Sequence, residues 1–128
     1  MNFNSQICTT KIQSERLLAL GLKKETADMT LQTALNVCYT IPFQEAVEYF
    51  ENRHLPPHPT ILPAWSLHRL IEMCNKTQVG MTIGIYNDEV TVDGDLFEVY
   101  DNTYDNLISI IEWLIGLGKF NENYLDIH

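Results

Sequence analysis

Residues 82–100 have the sequence Thr-Ile-Gly-Ile-Tyr-Asn-Asp-Glu-Val-Thr-Val-Asp-Gly-Asp-Leu-Phe-Glu-Val-Tyr. Three short runs rich in β-branched and aromatic residues are separated by Asn87-Asp88 and Asp93-Gly94. Asn, Asp and Gly tolerate the positive φ angles of tight hairpin turns. We therefore predict a three-stranded antiparallel meander over this stretch.

Helical patterns lie on both sides of the meander. After it, a cap at Asn102 or Thr103 opens an apolar helix that ends near Gly118. Before it, apolar residues at helical spacing predict three more helices, over residues 11–20, 42–53 and 64–75. Thr10 and Gln13 have the spacing of a capping box at the start of the first of these. The chain has 128 residues, 45% of them hydrophobic and 20% charged, which is the size and composition of one globular domain. We predict a single α+β domain over residues 1–128, with the meander packed against about four helices.

Two segments carry mixed signals. Residues 27–39 mostly alternate between apolar and polar side chains, which favours extended structure, although Ala34 and Leu35 would also suit a helix. Residues 54–63 contain four prolines, and each restricts the residue before it to extended geometry. We interpret this second segment as a stiff connector within the domain.

The net charge of −9 is unevenly distributed along the chain. The first 76 residues contain seven acids and seven bases, whereas the residues from Thr77 onward contain ten acids and one base, Lys119. This charge disfavours direct binding of nucleic acid, which depends on basic side chains that neutralise phosphates. It favours a basic protein as the partner, because opposite charges steer association.

The acids of the C-terminal part cluster within residues 88–105, which contain no base and which we call the acidic segment. We expect its side chains to form one exposed negative surface that binds the partner. The segment lacks the spacing of an EF-hand, and alternation along strands sends neighbouring side chains to opposite faces, which disfavours a calcium site. The predicted binding residues are Asp88, Glu89, Asp93, Asp95, Glu98, Asp101 and Asp105.

The charge pattern favours a non-enzymatic interaction module that binds a basic protein. One specific version is an acidic inhibitor of the phage type that imitates DNA. Two alternatives stay open. The first is a hydrolase that uses carboxylates of the acidic segment. The second is a structural component whose apolar last helix packs across the axis of a homo-oligomer.

The sequence offers no motif for catalysis, and we predict no catalytic residue, no metal and no cofactor. His54 and His58 are spaced like a zinc-ligand pair, but the prolines between them exclude the helix that would align their rings. Ser66 lacks the flanking glycines of a nucleophile elbow and suits the first turn of a helix. His68 is expected at the surface.

The two tryptophans, Trp65 and Trp113, are expected to anchor the core. Trp65 has a second interpretation, because it follows the proline-rich connector and could contribute to an aromatic-lined groove.

The three cysteines, Cys8, Cys38 and Cys74, form no CxxC pair, and an odd number does not suit a disulfide framework. We therefore expect reduced thiols, with Cys74 in the core. The first residues lack the basic and apolar regions of a signal peptide, and no apolar stretch approaches the roughly 18–20 residues that span a bilayer. These features predict a cytoplasmic protein with no membrane association.

Three blocks carry a resemblance to a known family: Thr26-Ala27-Asp28-Met29, Leu62-Pro63-Ala64-Trp65-Ser66-Leu67 and Ile111-Glu112-Trp113-Leu114. They resemble a family of small uncharacterised proteins from gut-bacterial genomes, their phages and their mobile elements, and the Pro-Ala-Trp-Ser-Leu block is the most specific. Residues 33–59 depart from the family pattern. The resemblance implies an α+β fold and a cytoplasmic, phage-linked setting, and it brings no catalytic residues.

Overall fold

The computed structural model describes residues 6–52, 61–75, 83–86, 89–92, 95–97 and 102–126. Within these ranges the helices are α1 (Lys11–Ala19), α2 (Phe43–Asn52), α3 (Leu67–Asn75) and α4 (Thr103–Gly116). The strands are β1 (Met29–Gln32), β2 (Val37–Tyr39), β3 (Ile61–Ala64), β4 (Ile83–Tyr86), β5 (Glu89–Val92) and β6 (Asp95–Phe97). The predicted α+β domain with four helices is confirmed.

The predicted meander is present as the antiparallel sheet β4-β5-β6. Ile83 in β4 lies opposite Val92 in β5, and Ile83 and Val90 are buried in the main core. The side-chain amide of Asn75, at the end of α3, bonds both backbone groups of Ile83, at 2.7 and 2.9 Å. This pair of bonds joins α3 to the meander.

A second antiparallel sheet, with strand order β2-β1-β3, precedes the meander in the chain. The hairpin β1-β2 confirms the extended structure favoured for residues 27–39. Its turn contains Asn36, whose φ of 52° is in the left-handed region that Asn tolerates. Sequence analysis did not predict that this hairpin has a third strand beside it.

The third strand, β3, corrects two predictions. Residues 61–63 were assigned to a stiff connector and Ala64 to a helix, but all four residues pair with β1. Pro63 is tolerated in β3 because this strand lies at the edge of the described sheet, where one side of the backbone needs no partner.

Helix α3 starts later than predicted because Ser66 caps it. The Ser66 hydroxyl accepts a hydrogen bond from the Arg69 amide at 3.1 Å, as a residue before the first helical turn does. The Asp28 carboxylate accepts from the Ser66 amide at 2.9 Å and from its hydroxyl at 2.5 Å. Ser66 is therefore a capping residue, directly before the helical turn in which it was expected.

The first and last helices are capped largely as predicted. Thr10 and Gln13 form the reciprocal bonds of a capping box at the start of α1, and Asn102 caps α4 by accepting from the Asp105 amide. Gly21 and Gly118 follow the ends of these helices with φ angles of 102° and 69°. Both glycines therefore occupy the left-handed conformation that favours this residue.

The main core lies between α4, α3, α1 and the meander. It is filled by fully buried side chains of α4, at Leu107, Ile108, Ile110, Ile111 and Leu114. Trp65 is also fully buried, as predicted. Trp113 is not a core residue, because it follows Glu112 on the outer side of α4 and is 46% exposed. No helix in the described residues has both the length and the apolar character needed to cross a bilayer.

The expectation of three reduced cysteines is wrong for two of them. Cys8 and Cys38 form a disulfide that joins the N-terminal segment to β2. The pair is 30 residues apart in sequence, and the hairpin places Cys38 on the sheet face that also carries Met29 and Leu31, beside Cys8. Cys74 is free and buried, as predicted.

Candidate functional site

The predicted binding residues of the acidic segment fall largely outside the described part of the chain. Asp88, Asp93, Glu98 and Asp101 lie outside the described residues. Glu89 and Asp95 are the first residues of β5 and β6, in successive strands of the meander. The backbone pairs Glu89 with Tyr86 and Asp95 with Val92. The expected negative surface over this segment therefore stays a prediction.

Asp105, the seventh predicted residue, makes contacts within the fold. Its carboxylate accepts a hydrogen bond from Gln13 Nε2 at 2.9 Å, and the same nitrogen lies 3.2 Å from the side-chain oxygen of Asn102. The half-buried carboxylate thereby connects the start of α4 to the start of α1. Asp105 accordingly has a structural role that its position in the first turn of a helix only partly indicated.

The best-formed candidate site lies on the other sheet, β2-β1-β3. Side chains alternate along β1, so Met29 and Leu31 enter a small core while Thr30 and Gln32 point to the opposite face. The strand register places Tyr39 of β2 beside Thr30, and Ile61 of β3 beside Gln32. This second face of the sheet is mixed in character and carries the candidate site.

Helix α2 covers part of this face and leaves a groove of 650 Å³ between helix and sheet. The helix contributes one side to the groove, since residues three to four positions apart lie on the same helical face. The volume is within the range of about 300–1,000 Å³ that is common for ligand sites. We call this site the tyrosine groove; the described residues that line it are Thr30, Gln32, Tyr39, Ile41, Glu45, Ala46, Tyr49 and Ile61.

The rim of the tyrosine groove is apolar and accessible. Tyr39 is 42% exposed, Ile41 46% and Tyr49 50%. Large apolar side chains are commonly scattered singly over a protein surface, so three around one concave site form an unusual concentration. This concentration indicates a surface suited to contact with another molecule.

Two polar side chains that line the tyrosine groove differ in their hydrogen bonding. The hydroxyl of Thr30 donates to the backbone oxygen of Ile41 at 2.8 Å and so holds the segment after β2 in place. The side-chain oxygen of Gln32 is buried and has no hydrogen-bond partner within the part of the chain that the structure describes. A buried acceptor without a partner costs free energy.

Helix α2 makes one side of the tyrosine groove acidic. Helix α2 carries three exposed glutamates, Glu45, Glu48 and Glu51, and its sequence contains no lysine or arginine. Glu45 lines the groove itself. The predicted negative surface lies in the C-terminal part of the chain, whereas α2 belongs to the part with balanced charge.

The residue types of the tyrosine groove favour binding. The described lining residues offer one carboxylate and two phenol rings, and they include no histidine, cysteine, lysine or arginine. Acceptors and aromatic faces together suit a ligand that has an apolar stem and a positively charged or donor-rich end.

The remaining candidate residues fall elsewhere. His54 and His58 lie outside the described residues, and His68 is exposed on α3 as predicted. Trp65 is fully buried, so its alternative interpretation as part of an aromatic groove is wrong. Among the residues that the structure describes, no three His, Cys, Asp or Glu side chains are arranged to hold a metal ion.

The tyrosine groove was missed because its residues lie on different strands and on α2, and tertiary packing decides how these elements are placed. One signal was present in the sequence: Thr30 and Gln32 alternate with Met29 and Leu31, which indicates a strand with one face outside the core. Nothing in the sequence indicated that α2 would lie beside that face. Comparison of the chain with protein-family models, with curated proteins and with solved structures found no match.

Proposed function

We propose that this protein is a non-enzymatic interaction module that binds a basic protein partner, and that the tyrosine groove is the binding site. The observation that carries the proposal is the position of an exposed aromatic rim beside an acidic helix. Tyr39 and Tyr49 supply the rim, and Glu45 supplies the negative charge in the same groove.

A lysine or arginine side chain matches each part of the groove. Its aliphatic stem can lie along Ile41 and the tyrosine rings, while its charged end reaches Glu45. A cation over an aromatic ring gains about 0.5–1 kcal/mol at an exposed site.

The whole-chain charge supports the same class of partner. A net charge of −9 attracts basic proteins over a distance of about 8–10 Å at ordinary salt concentrations and repels nucleic acid. The acidic segment would add to this attraction wherever its side chains lie. Specific contact is assigned to the groove, because charge at a distance increases the rate of association more than the affinity.

The cytoplasmic and phage- or mobile-element-linked setting is part of this proposal. The Cys8–Cys38 disulfide is relevant, because disulfides in a reducing cytosol are mostly transient or redox-sensing, whereas those of secreted proteins persist. Rapid alkylation of the protein in its native host, followed by mass spectrometry, shows whether the disulfide is transient or persistent. A bond that is fully oxidised at all times would contradict the cytoplasmic setting.

The proposal is tested by selecting peptides from a random displayed library on the purified protein. We expect selected peptides to be enriched in lysine and arginine relative to the unselected library. We also expect their binding to weaken steeply when salt is raised from about 50 to about 500 mM, because screening removes the attraction between charges. Peptides without basic enrichment, or binding indifferent to salt, would overturn the proposal.

Two pairs of matched variants assign the binding to the groove. Glu45→Gln should weaken the binding of basic peptides, whereas Glu15→Gln, which removes an equal charge from the exposed side of α1, should have little effect on it. Tyr39→Ser should also weaken the binding of basic peptides, whereas Trp113→Ser, which removes a similarly exposed aromatic ring from α4, should not. Equal effects within each pair would place the binding site elsewhere.

A further inference from the structure

Strand β2 forms an edge of the described sheet β2-β1-β3, and β1 is its only neighbour in that sheet. Val37, Cys38 and Tyr39 pair with β1 on one side. On the other side, no hydrogen bond from the described residues reaches their backbone groups. An edge strand of this kind offers unpaired N–H and C=O groups to another chain.

The side chains of β2 make this edge unusually accessible. Val37 is 38% exposed and Tyr39 is 42% exposed, and neither is charged. Protein edges are commonly protected by lysine, proline or a covering segment. The opposite edge, β3, has such protection, because Pro63 has no N–H to donate.

The edge and the tyrosine groove are continuous. Tyr39 belongs to both, since it is in β2 and lines the groove. A strand added next to β2 would direct every second side chain to the face that carries Val37 and Tyr39. Those side chains would lie beside Tyr39, at the side of the groove that β2 forms.

We propose that the partner binds as an extended basic segment that adds a strand to β2, with its alternate lysine or arginine side chains in the tyrosine groove. This inference rests on the proposed function and adds the conformation of the partner and its main-chain contacts. In this mode of recognition, main-chain hydrogen bonds provide affinity and the groove selects alternate side chains. Because β2 has three residues, the new ladder is short, and the charged side chains are needed in addition.

The test uses a synthetic seven-residue peptide of alternating lysine and valine, and two N-methylated forms of it. One form is methylated on the lysine amides and the other on the valine amides. In an added strand, the amides of only one of these sets face β2. We expect one methylated form to bind at least about tenfold more weakly, because it loses one or two hydrogen bonds and its methyl groups meet the backbone of β2, and the other to bind like the parent.

A second measurement follows the protein itself by hydrogen exchange. We expect the amides of β2 that point away from β1 to exchange at least about tenfold more slowly in the complex, because they become hydrogen bonded. A peptide of alternating glutamate and valine serves as the charge control. It should not bind, since it has the same strand pattern and the wrong charge.

The outcomes separate this inference from the proposed function. If both methylated peptides bind as tightly as the parent, strand addition is wrong and the groove still binds basic side chains. If the parent peptide does not bind and the selected peptides show no basic enrichment, both proposals are wrong. Sedimentation of the protein, alone and with the peptide, tests whether β2 instead pairs with a second copy of the chain. A dimer that the peptide cannot dissociate would show such pairing and would overturn the inference.

Discussion

The indole nitrogen of Trp65 donates a hydrogen bond of 2.9 Å to the hydroxyl oxygen of Thr26 in the interior of the protein. Trp65 is fully buried and Thr26 nearly so. Two further contacts join the same parts of the chain. The Asp28 carboxylate accepts a hydrogen bond from the Ser66 amide, and the Arg69 side chain donates to the Thr26 backbone oxygen at 2.9 Å. The segment around Thr26 and the start of α3 therefore form one hydrogen-bonded unit.

Replacing Thr26 with valine should lower the free energy of unfolding by about 1–3 kcal/mol, because the buried indole N–H would lose its acceptor. Urea unfolding followed by tryptophan fluorescence measures the change. Thr26→Ser keeps the hydroxyl and should cost less. Thr40→Val, at an exposed position, should change stability by less than about 0.5 kcal/mol. Equal losses for Thr26→Val and Thr40→Val would show that the bond contributes nothing.

Opening the Cys8–Cys38 disulfide should lower the free energy of unfolding by about 3–4 kcal/mol, because the bond closes a loop of about 30 residues and restricts the unfolded chain. Urea unfolding of the double variant Cys8→Ser and Cys38→Ser, compared with the wild type, measures this loss. Alkylation in denaturant should modify one cysteine before reduction and three after it. Three modified cysteines without reduction would contradict the disulfide.

Cys74 should make the protein less stable in alkaline solution. Burial raises the pKa of its thiol from 9.0 to about 12, so between these values the unfolded chain loses a proton that the folded chain keeps. The contribution of the buried thiol to the free energy of unfolding is therefore fully present below pH 9. It is lost as the pH rises towards 12, by about 1.4 kcal/mol per pH unit. The difference in unfolding free energy between wild type and Cys74→Ala should shrink over this range. A difference independent of pH would contradict the raised pKa.

Two exposed glycines near the end of α4 should respond in opposite directions to alanine. Gly118 has a φ of 69°, so Gly118→Ala should destabilise the protein by about 1–2 kcal/mol. Gly116 is the last residue of α4, and a methyl group there would contact nothing within 4 Å. Gly116→Ala should stabilise the protein by about 0.5–1 kcal/mol, since alanine favours the helix. Thermal unfolding of the two variants compares them directly, and a stabilised Gly118→Ala would refute the conformational argument.

The local elements could be predicted from the sequence because each depends on residues close together in the chain. The turns at Asn87-Asp88 and Asp93-Gly94 indicated the meander, and Thr10 with Gln13 indicated the start of α1. The apolar residues after Asn102 also indicated the last helix, although Trp113, expected in the core, is exposed on it. These features follow from backbone geometry and from the removal of apolar surface from water, and both are encoded over a few residues.

The tertiary structure alone decided the features that join distant segments. Neither the pairing of β3 with β1 nor the disulfide between Cys8 and Cys38 has a signal in the residues that form it. Each depends on how segments that are far apart in sequence pack together. The tyrosine groove differs, because seven of its eight described lining residues lie within residues 30–49 and only Ile61 comes from farther along the chain. Tyr39 and Tyr49 lie on separate elements, and only the placement of α2 against the sheet makes them two sides of one site.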